Sequence, residues 1–104
     1  MQIQFNTDKN VIMDEEQIAS STFLISEDLS RFSTQITRLK VHLSDEDGNK
    51  DGFTIKHCMV EARLAGMKPI AATDHANTHV LAILGAIDKL KASLETISGH
   101  IKSY

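Results

Sequence analysis

The sequence has one cysteine, Cys58, one proline, Pro69, and no tryptophan among its 104 residues. A single cysteine cannot form a disulfide within the chain, which is typical of proteins in a reducing compartment. No apolar run approaches the roughly 20 residues that span a bilayer, and the N-terminal residues lack the basic and apolar regions of a secretion signal. We therefore expect a cytoplasmic protein that has no contact with a membrane.

Positive charge is also scarce, because 11 Lys and Arg residues stand against 14 Asp and Glu residues and give a formal net charge of -3. Affinity for phosphate backbones depends on accumulated Lys and Arg, so this balance argues against indiscriminate binding of nucleic acid and against DNA as a partner. Any contact with RNA must come from a local patch. The length suits one compact domain, residues 1–104.

The spacing of apolar residues predicts the order strand, helix, three strands, helix. Alternation with a period of two predicts four strands: residues 1–5, 35–43, 53–64 and 70–73. A period of three to four predicts a first helix over residues 14–32, with Asp14 as its N-cap, and a second helix from Val80 to Gly99. Asp74, Asn77 and Thr78 are candidates for the N-cap of the second helix.

These elements predict an α+β fold in which the last three strands form an antiparallel meander and both helices cover one face of a four-stranded sheet. Only that arrangement buries the apolar stripes of helix and sheet together. The predicted core comprises Ile83, Ile87, Leu90 and Leu94 of the second helix with Leu39, Val41, Val60 and Ala62 of the strands. The opposite sheet face would carry Arg38, Lys40, His42, His57 and Arg63, either solvated or used in binding.

The sequence offers little for catalysis or metal binding. His75 and His79 are four residues apart, a spacing that can hold a metal on a helix, but no third ligand accompanies them, and we interpret them as polar residues of a helix's first turn. Cys58 and His57 are adjacent on a strand and point to opposite faces, so Cys58 is interpreted as a buried thiol. The acidic run from Asp45 to Asp51 is interpreted as a solvated hairpin loop, since it lacks the terminal glutamate of a calcium loop. We expect no enzymatic activity, no metal and no cofactor.

Two segments resemble a known family. Residues 55–66 followed by Pro69-Ile70, and residues 75–78 leading into Ala82-Ile83-Leu84-Gly85-Ala86-Ile87-Asp88-Lys89-Leu90, are similar to the ribosome-associated hibernation promoting factor and translation inhibitor family, also called the sigma-54 modulation protein family. The segment from Ala82 to Leu90 resembles the hallmark helix of that family. The order of elements matches from Met1 to about Ile101, as in the short form without a further C-terminal domain.

The resemblance implies a fold related to double-stranded RNA-binding domains and a role in translation regulation. It implies binding to ribosomal RNA in the decoding region of the small ribosomal subunit, where such proteins keep idle ribosomes inactive during stress. The positions that match basic positions of the family are Lys89, Lys91, Lys102 and Arg31. Together with the strand residues, the candidate RNA-binding set comprises Lys89, Lys91, Lys102, Arg31, Arg38, Lys40, Lys56 and Arg63.

The chain departs from the family in the charge of its first helix. Residues 14–28 contain five acidic residues and no Lys or Arg, whereas typical members are basic there. The competing hypothesis is therefore a diverged module that binds a protein through the sheet face or the acidic helix, and a homodimer is left open. A localised basic surface including Lys89, Lys91, Arg38 and Lys40 would favour the ribosome.

Overall fold

The computed structural model describes residues 1–8, 11–47 and 54–102. Its elements, in chain order, are β1 (Gln2–Thr7), α1 (Glu15–Asp28), a 3-10 turn (Ser30–Phe32), β2 (Ile36–Asp47), β3 (Thr54–Leu64), β4 (Ile70–Ala76) and α2 (His79–Lys102). The order β-α-β-β-β-α agrees with the prediction from the sequence.

The four strands form one mixed sheet in the order β1-β2-β3-β4. β1 runs parallel to β2, with Ile3 beside Leu39, and this parallel connection passes through α1. β2, β3 and β4 form the predicted antiparallel meander, in which Val41 pairs with Val60 and Val60 with Ala72.

Both helices pack on the same face of the sheet and share one hydrophobic core with it. The side chains predicted for this core, which come from α2, β2 and β3, are buried: Ile83, Ile87, Leu90, Leu94, Leu39, Val41, Val60 and Ala62. Val80 was predicted to continue the apolar face of α2, but it is 46% exposed. That prediction was wrong, because Val80 lies in the first turn of α2, where a cleft separates it from α1.

The first helix begins as predicted and ends earlier. The Asp14 carboxylate accepts a hydrogen bond of 2.7 Å from the Gln17 backbone N–H, and the Gln17 side chain accepts one of 3.0 Å from the Asp14 backbone N–H. This reciprocal capping box fixes the start of the helix. At the other end, α1 stops at Asp28 and a 3-10 turn carries the chain to Phe32, which is buried.

The strands reach further than predicted at one end of the sheet. β2 continues to Asp47, so residues 45–47 belong to a strand and not to the predicted loop, while residues 48–53 lie outside the described residues. β4 continues through Asp74 and His75, which pair with Cys58 and His57 of β3. Of the three candidate caps for α2, the structure selects Thr78, whose hydroxyl accepts from the Leu81 backbone N–H at 3.2 Å.

Candidate nucleic-acid interface

The sheet face that the helices leave uncovered, called the open face below, carries a cluster of cations at one end. Arg38 of β2 lies directly opposite Arg63 of β3, and Lys40 lies opposite Glu61. Because alternate residues of a strand point to opposite faces, these side chains all project away from the core formed by Leu39, Val41, Val60 and Ala62. The predicted basic face of the sheet is therefore present.

Arg38, Lys40 and Arg63 of the open face have no acidic partner among the described residues. Within the described residues, no carboxylate lies within ion-pair distance of Arg38, Lys40 or Arg63, even though Glu61 is the cross-strand neighbour of Lys40. Two like charges opposite each other on adjacent strands disfavour folding slightly, and the Arg38–Arg63 pair has that arrangement. Unpaired cations in such a place are available to a polyanion such as an RNA backbone.

The other end of the open face carries histidines. The His42 Nε2 lies 3.1 Å from the Asp8 carboxylate, and the His57 and His75 rings lie with their centroids 5.5 Å apart across the β3–β4 pair. His75 was predicted in the first turn of a helix four residues from His79. That prediction was wrong, because His75 belongs to β4, where ladder pairing with β3 extends the strand.

No Phe, Tyr or Trp of the described strands faces outward on this sheet. The outward positions of β1 are amides, Gln2, Gln4 and Asn6, while Phe5 of the same strand packs against the core. Single-stranded RNA readers commonly stack bases on sheet aromatics. The open face can therefore contact ribose and phosphate through cations and amides, without a stacking platform for bases.

The cations of the helix-covered side are neutralised by acids. Lys91 of α2 donates to Asp28 of α1 at 3.2 Å, and Arg31 pairs with Glu95. Lys89 of α2 reaches the Thr73 carbonyl at 3.1 Å and the Asp74 carboxylate at 3.3 Å. A hydrogen bond from the backbone of His75, and then the Lys89 ammonium, lower the pKa of Asp74.

The predicted surface combining Lys89 and Lys91 with Arg38 and Lys40 is therefore not one patch. The two lysines lie on the helix side of the sheet. Arg38 and Lys40 lie on the open face, because α2 covers the face from which these two residues point away. The side chain of Lys102 lies outside the described residues.

Lys56 also belongs to the helix side, at the end of the sheet. Its ammonium lies 3.1 Å from one oxygen of Asp45, and the His79 Nε2 lies 2.9 Å from the other. All three side chains are largely buried, with Asp45 13% exposed. The prediction that Asp45 belongs to a solvated turn was therefore wrong. Its side chain joins β2 to β3 and to the start of α2.

The surroundings of Asp45 favour its charged form. Burial alone would raise the pKa of this carboxyl, but hydrogen bonds from His79 and Lys56 outweigh burial, so its pKa lies below the ordinary value of 3.8. The stabilisation is present above pH 3.8 and is lost as the pH falls through the lower pKa of the folded protein.

Replacing Asp45 by Asn should lower the free energy of unfolding at neutral pH by about 1 to 3 kcal/mol, since Lys56 and His79 lose their charged acceptor. Chemical denaturation of both proteins measures the difference. The gap should narrow as the pH falls below 3.8 and close below the lower pKa of the folded protein, where the wild-type carboxyl is also neutral. Equal stability at neutral pH would show that this cluster does not hold the end of the sheet.

The described residues give no basis for nucleophilic or metal chemistry. Cys58 is 1% exposed, and burial, with a smaller contribution from Asp74, raises its pKa to about 12. The thiol is therefore protonated at neutral pH. His79 bonds Asp45 and lies on a different element from His75, and no three His, Cys, Asp or Glu side chains in the described part of the chain are grouped to hold a metal ion.

The mixed sheet with two helices on one face defines an α+β protein with the β-α-β-β-β-α fold. Among solved structures, the chain is similar to a ribosomal subunit interface protein from Coxiella burnetii, with a TM-score of 0.70 and 19% identity over 95% of this chain and 99% of that chain. It is also similar to the N-terminal domain of Protein Y from Thermus thermophilus, with a TM-score of 0.63 and 15% identity over 93% and 99%. At these identities the likeness shows the fold, and it confirms the fold that the family resemblance implied.

Comparison at the level of sequence adds no relative, since no family model and no curated protein matches the chain. Neither of the two structural neighbours is named as an enzyme. Over their described residues, neither α1 nor α2 is long and apolar enough to cross a membrane.

Proposed function

We propose that this protein is a non-catalytic, cytoplasmic translation regulator that associates with the small ribosomal subunit by laying the open face on ribosomal RNA. The observation that carries the proposal is the set of unpaired cations Arg38, Lys40 and Arg63 on a sheet whose fold is shared with a ribosomal subunit interface protein. The resemblance of the sequence to the family suggests that the contact lies in the decoding region and that the target is the idle ribosome.

The distribution of charge supports this orientation. The helix side carries the acids of α1, and its cations Lys89, Lys91 and Arg31 are already paired within the chain. An RNA approaching that side would have to compete with carboxylates for each cation. It would also meet the acids of α1 that have no cation partner among the described residues. On the open face the same RNA meets cations that have no competitor among the described residues, so electrostatics directs that face toward the ribosome.

The small number of available cations predicts weak, salt-dependent binding. Neutralising about three phosphates gives a slope of roughly -3 in a plot of log K against log salt concentration. We expect the protein to sediment with small subunits in low salt and to be released in moderate salt. Competition by messenger and transfer RNA tests the decoding region in the same assay.

Two results would contradict the proposal. The first is a protein that stays in the supernatant with small subunits even in low salt. The second is attachment that is insensitive to salt, since contacts between cations and phosphates cannot produce it.

A further inference from the structure

The two helices run in the same direction along the sheet but contact each other over only part of their length. Ion pairs join Asp28 to Lys91 and Arg31 to Glu95, so the C-terminal end of α1 is held against the middle of α2. Toward their N-terminal ends the helices diverge and leave a cleft of about 550 Å³. This cleft lies on the side of the sheet opposite to the open face.

The walls of the cleft are apolar and accessible. Leu24 of α1 is 42% exposed and Val80 of α2 is 46% exposed, and both line the cleft together with Met13. Large apolar side chains that are exposed in a concave site are typical of surfaces that bind a partner. Ser20, Gln17 and Asn77 also line it and can form hydrogen bonds with a bound main chain.

The charge at the cleft is negative. Asp14 and Glu16 lie at its α1 edge, while its α2 edge consists of the uncharged residues Asn77, Thr78 and Val80. Lys56 and His79 also line the cleft, but both bond to Asp45, so the described lining offers no free positive charge. A ligand that fits this site needs apolar side chains for the walls and positive charge for the α1 edge.

We propose that this cleft binds a basic, apolar peptide segment of another protein, with apolar side chains between Leu24 and Val80 and a neighbouring Lys or Arg beside Asp14 and Glu16. A second copy of the chain fits less well. A twofold contact brings the same surface of each copy together, so the acidic edge of one α1 would face the acidic edge of the other. Because the cleft and the open face lie on opposite sides of the sheet, the peptide and an RNA can bind at the same time.

Fluorescence anisotropy with two labelled peptides tests the proposal on the full chain. One peptide contains leucines at helical spacing among lysines and serines, and its companion has glutamate in place of every lysine. We expect the lysine peptide to bind at least about tenfold more tightly than the glutamate peptide. Absence of binding by the lysine peptide, or equal binding by both, would overturn the proposal.

Two pairs of matched variants locate the binding site. Leu24→Ser should weaken the lysine peptide about tenfold, whereas Phe23→Ser, a similar change at an exposed position of the same helix outside the cleft, should not. Glu16→Lys should weaken it similarly, and Glu27→Lys, which makes the same change of charge away from the cleft, should have little effect. An equal loss of peptide affinity for both variants of a pair would mean that the peptide binds outside the cleft.

Melting curves show whether each variant folds, and Glu16→Lys, a change at an exposed position, keeps the test valid if Leu24→Ser does not fold. Analytical ultracentrifugation tests whether a second copy of the chain occupies the cleft instead. A wild-type dimer that Leu24→Ser dissociates would assign the cleft to a second copy and would contradict the proposal. The variant Arg38→Glu with Arg63→Glu, altered only on the open face, should bind the lysine peptide as the wild type does.

Discussion

Replacing Ile87 by Ala is expected to lower the free energy of unfolding by about 2 to 5 kcal/mol. Ile87 is fully buried on the face of α2 that packs against the sheet. The substitution removes apolar atoms from the middle of the core and leaves a cavity that strands paired on both sides cannot easily close. Guanidinium denaturation, with the midpoint and the slope fitted separately, measures the loss.

Val80 provides the matched control, since it is an aliphatic residue of the same helix that is 46% exposed. Val80→Ala should change the free energy of unfolding by no more than about 0.5 kcal/mol. Near-wild-type stability of Ile87→Ala, or a similar loss for both variants, would mean that α2 presents a different face to the sheet.

Reversing the charge of Arg38 and Arg63 together, as Arg38→Glu with Arg63→Glu, is expected to abolish co-sedimentation with small ribosomal subunits. The two side chains are cross-strand neighbours on the open face and have no acidic partner among the described residues. The slope of log K against log salt should fall by about 2, one for each phosphate contact removed. The melting transition should change little, because both positions are exposed and the variant replaces one like-charged pair by another.

The matched control reverses the same amount of charge on the helix side, as Lys89→Glu with Lys91→Glu. Both lysines are paired, with Asp74 and Asp28 respectively, so the open-face proposal predicts that this variant still sediments with small subunits. If it is released while the Arg38 and Arg63 variant travels as the wild type does, the ribosome contacts the helices, as the family resemblance alone would suggest.

Much of the fold could be predicted because the spacing of apolar residues along the chain determines which segments form strands and helices. Leu39 and Val41 in β2 follow the period of two of a strand, and Ile83 and Ile87 in α2 follow the period of three to four of a helix. The structure confirms that these residues are buried, as each period predicts. The errors at the end of the sheet occurred where polar residues have partners that are distant in the sequence. Asp45, predicted in a loop, is in a strand, where it pairs with Lys56 of β3 and its side chain contacts Lys56 and His79.

The candidate site was predicted less completely. The alternation of β2 identified the outward cations Arg38 and Lys40, and the register with β3 then placed Arg63 beside them. The cleft between α1 and α2 was missed, because its walls come from helices whose divergence is set by packing on the sheet. The exposed Val80 follows the same apolar spacing as the core residues of α2, so the sequence carries no signal that separates it from them.

The sequence by itself determined the order of the elements, the buried face of each and the scarcity of positive charge, since these depend on composition and on the spacing of neighbouring residues. Only the tertiary structure decided which cations remain available to a partner. Lys56 pairs with an acid 11 residues away, Lys91 with one 63 residues away and Arg31 with one 64 residues away. Contacts at such separations arise only when the chain folds, because the sheet and the packing of α1 beside α2 bring these side chains together.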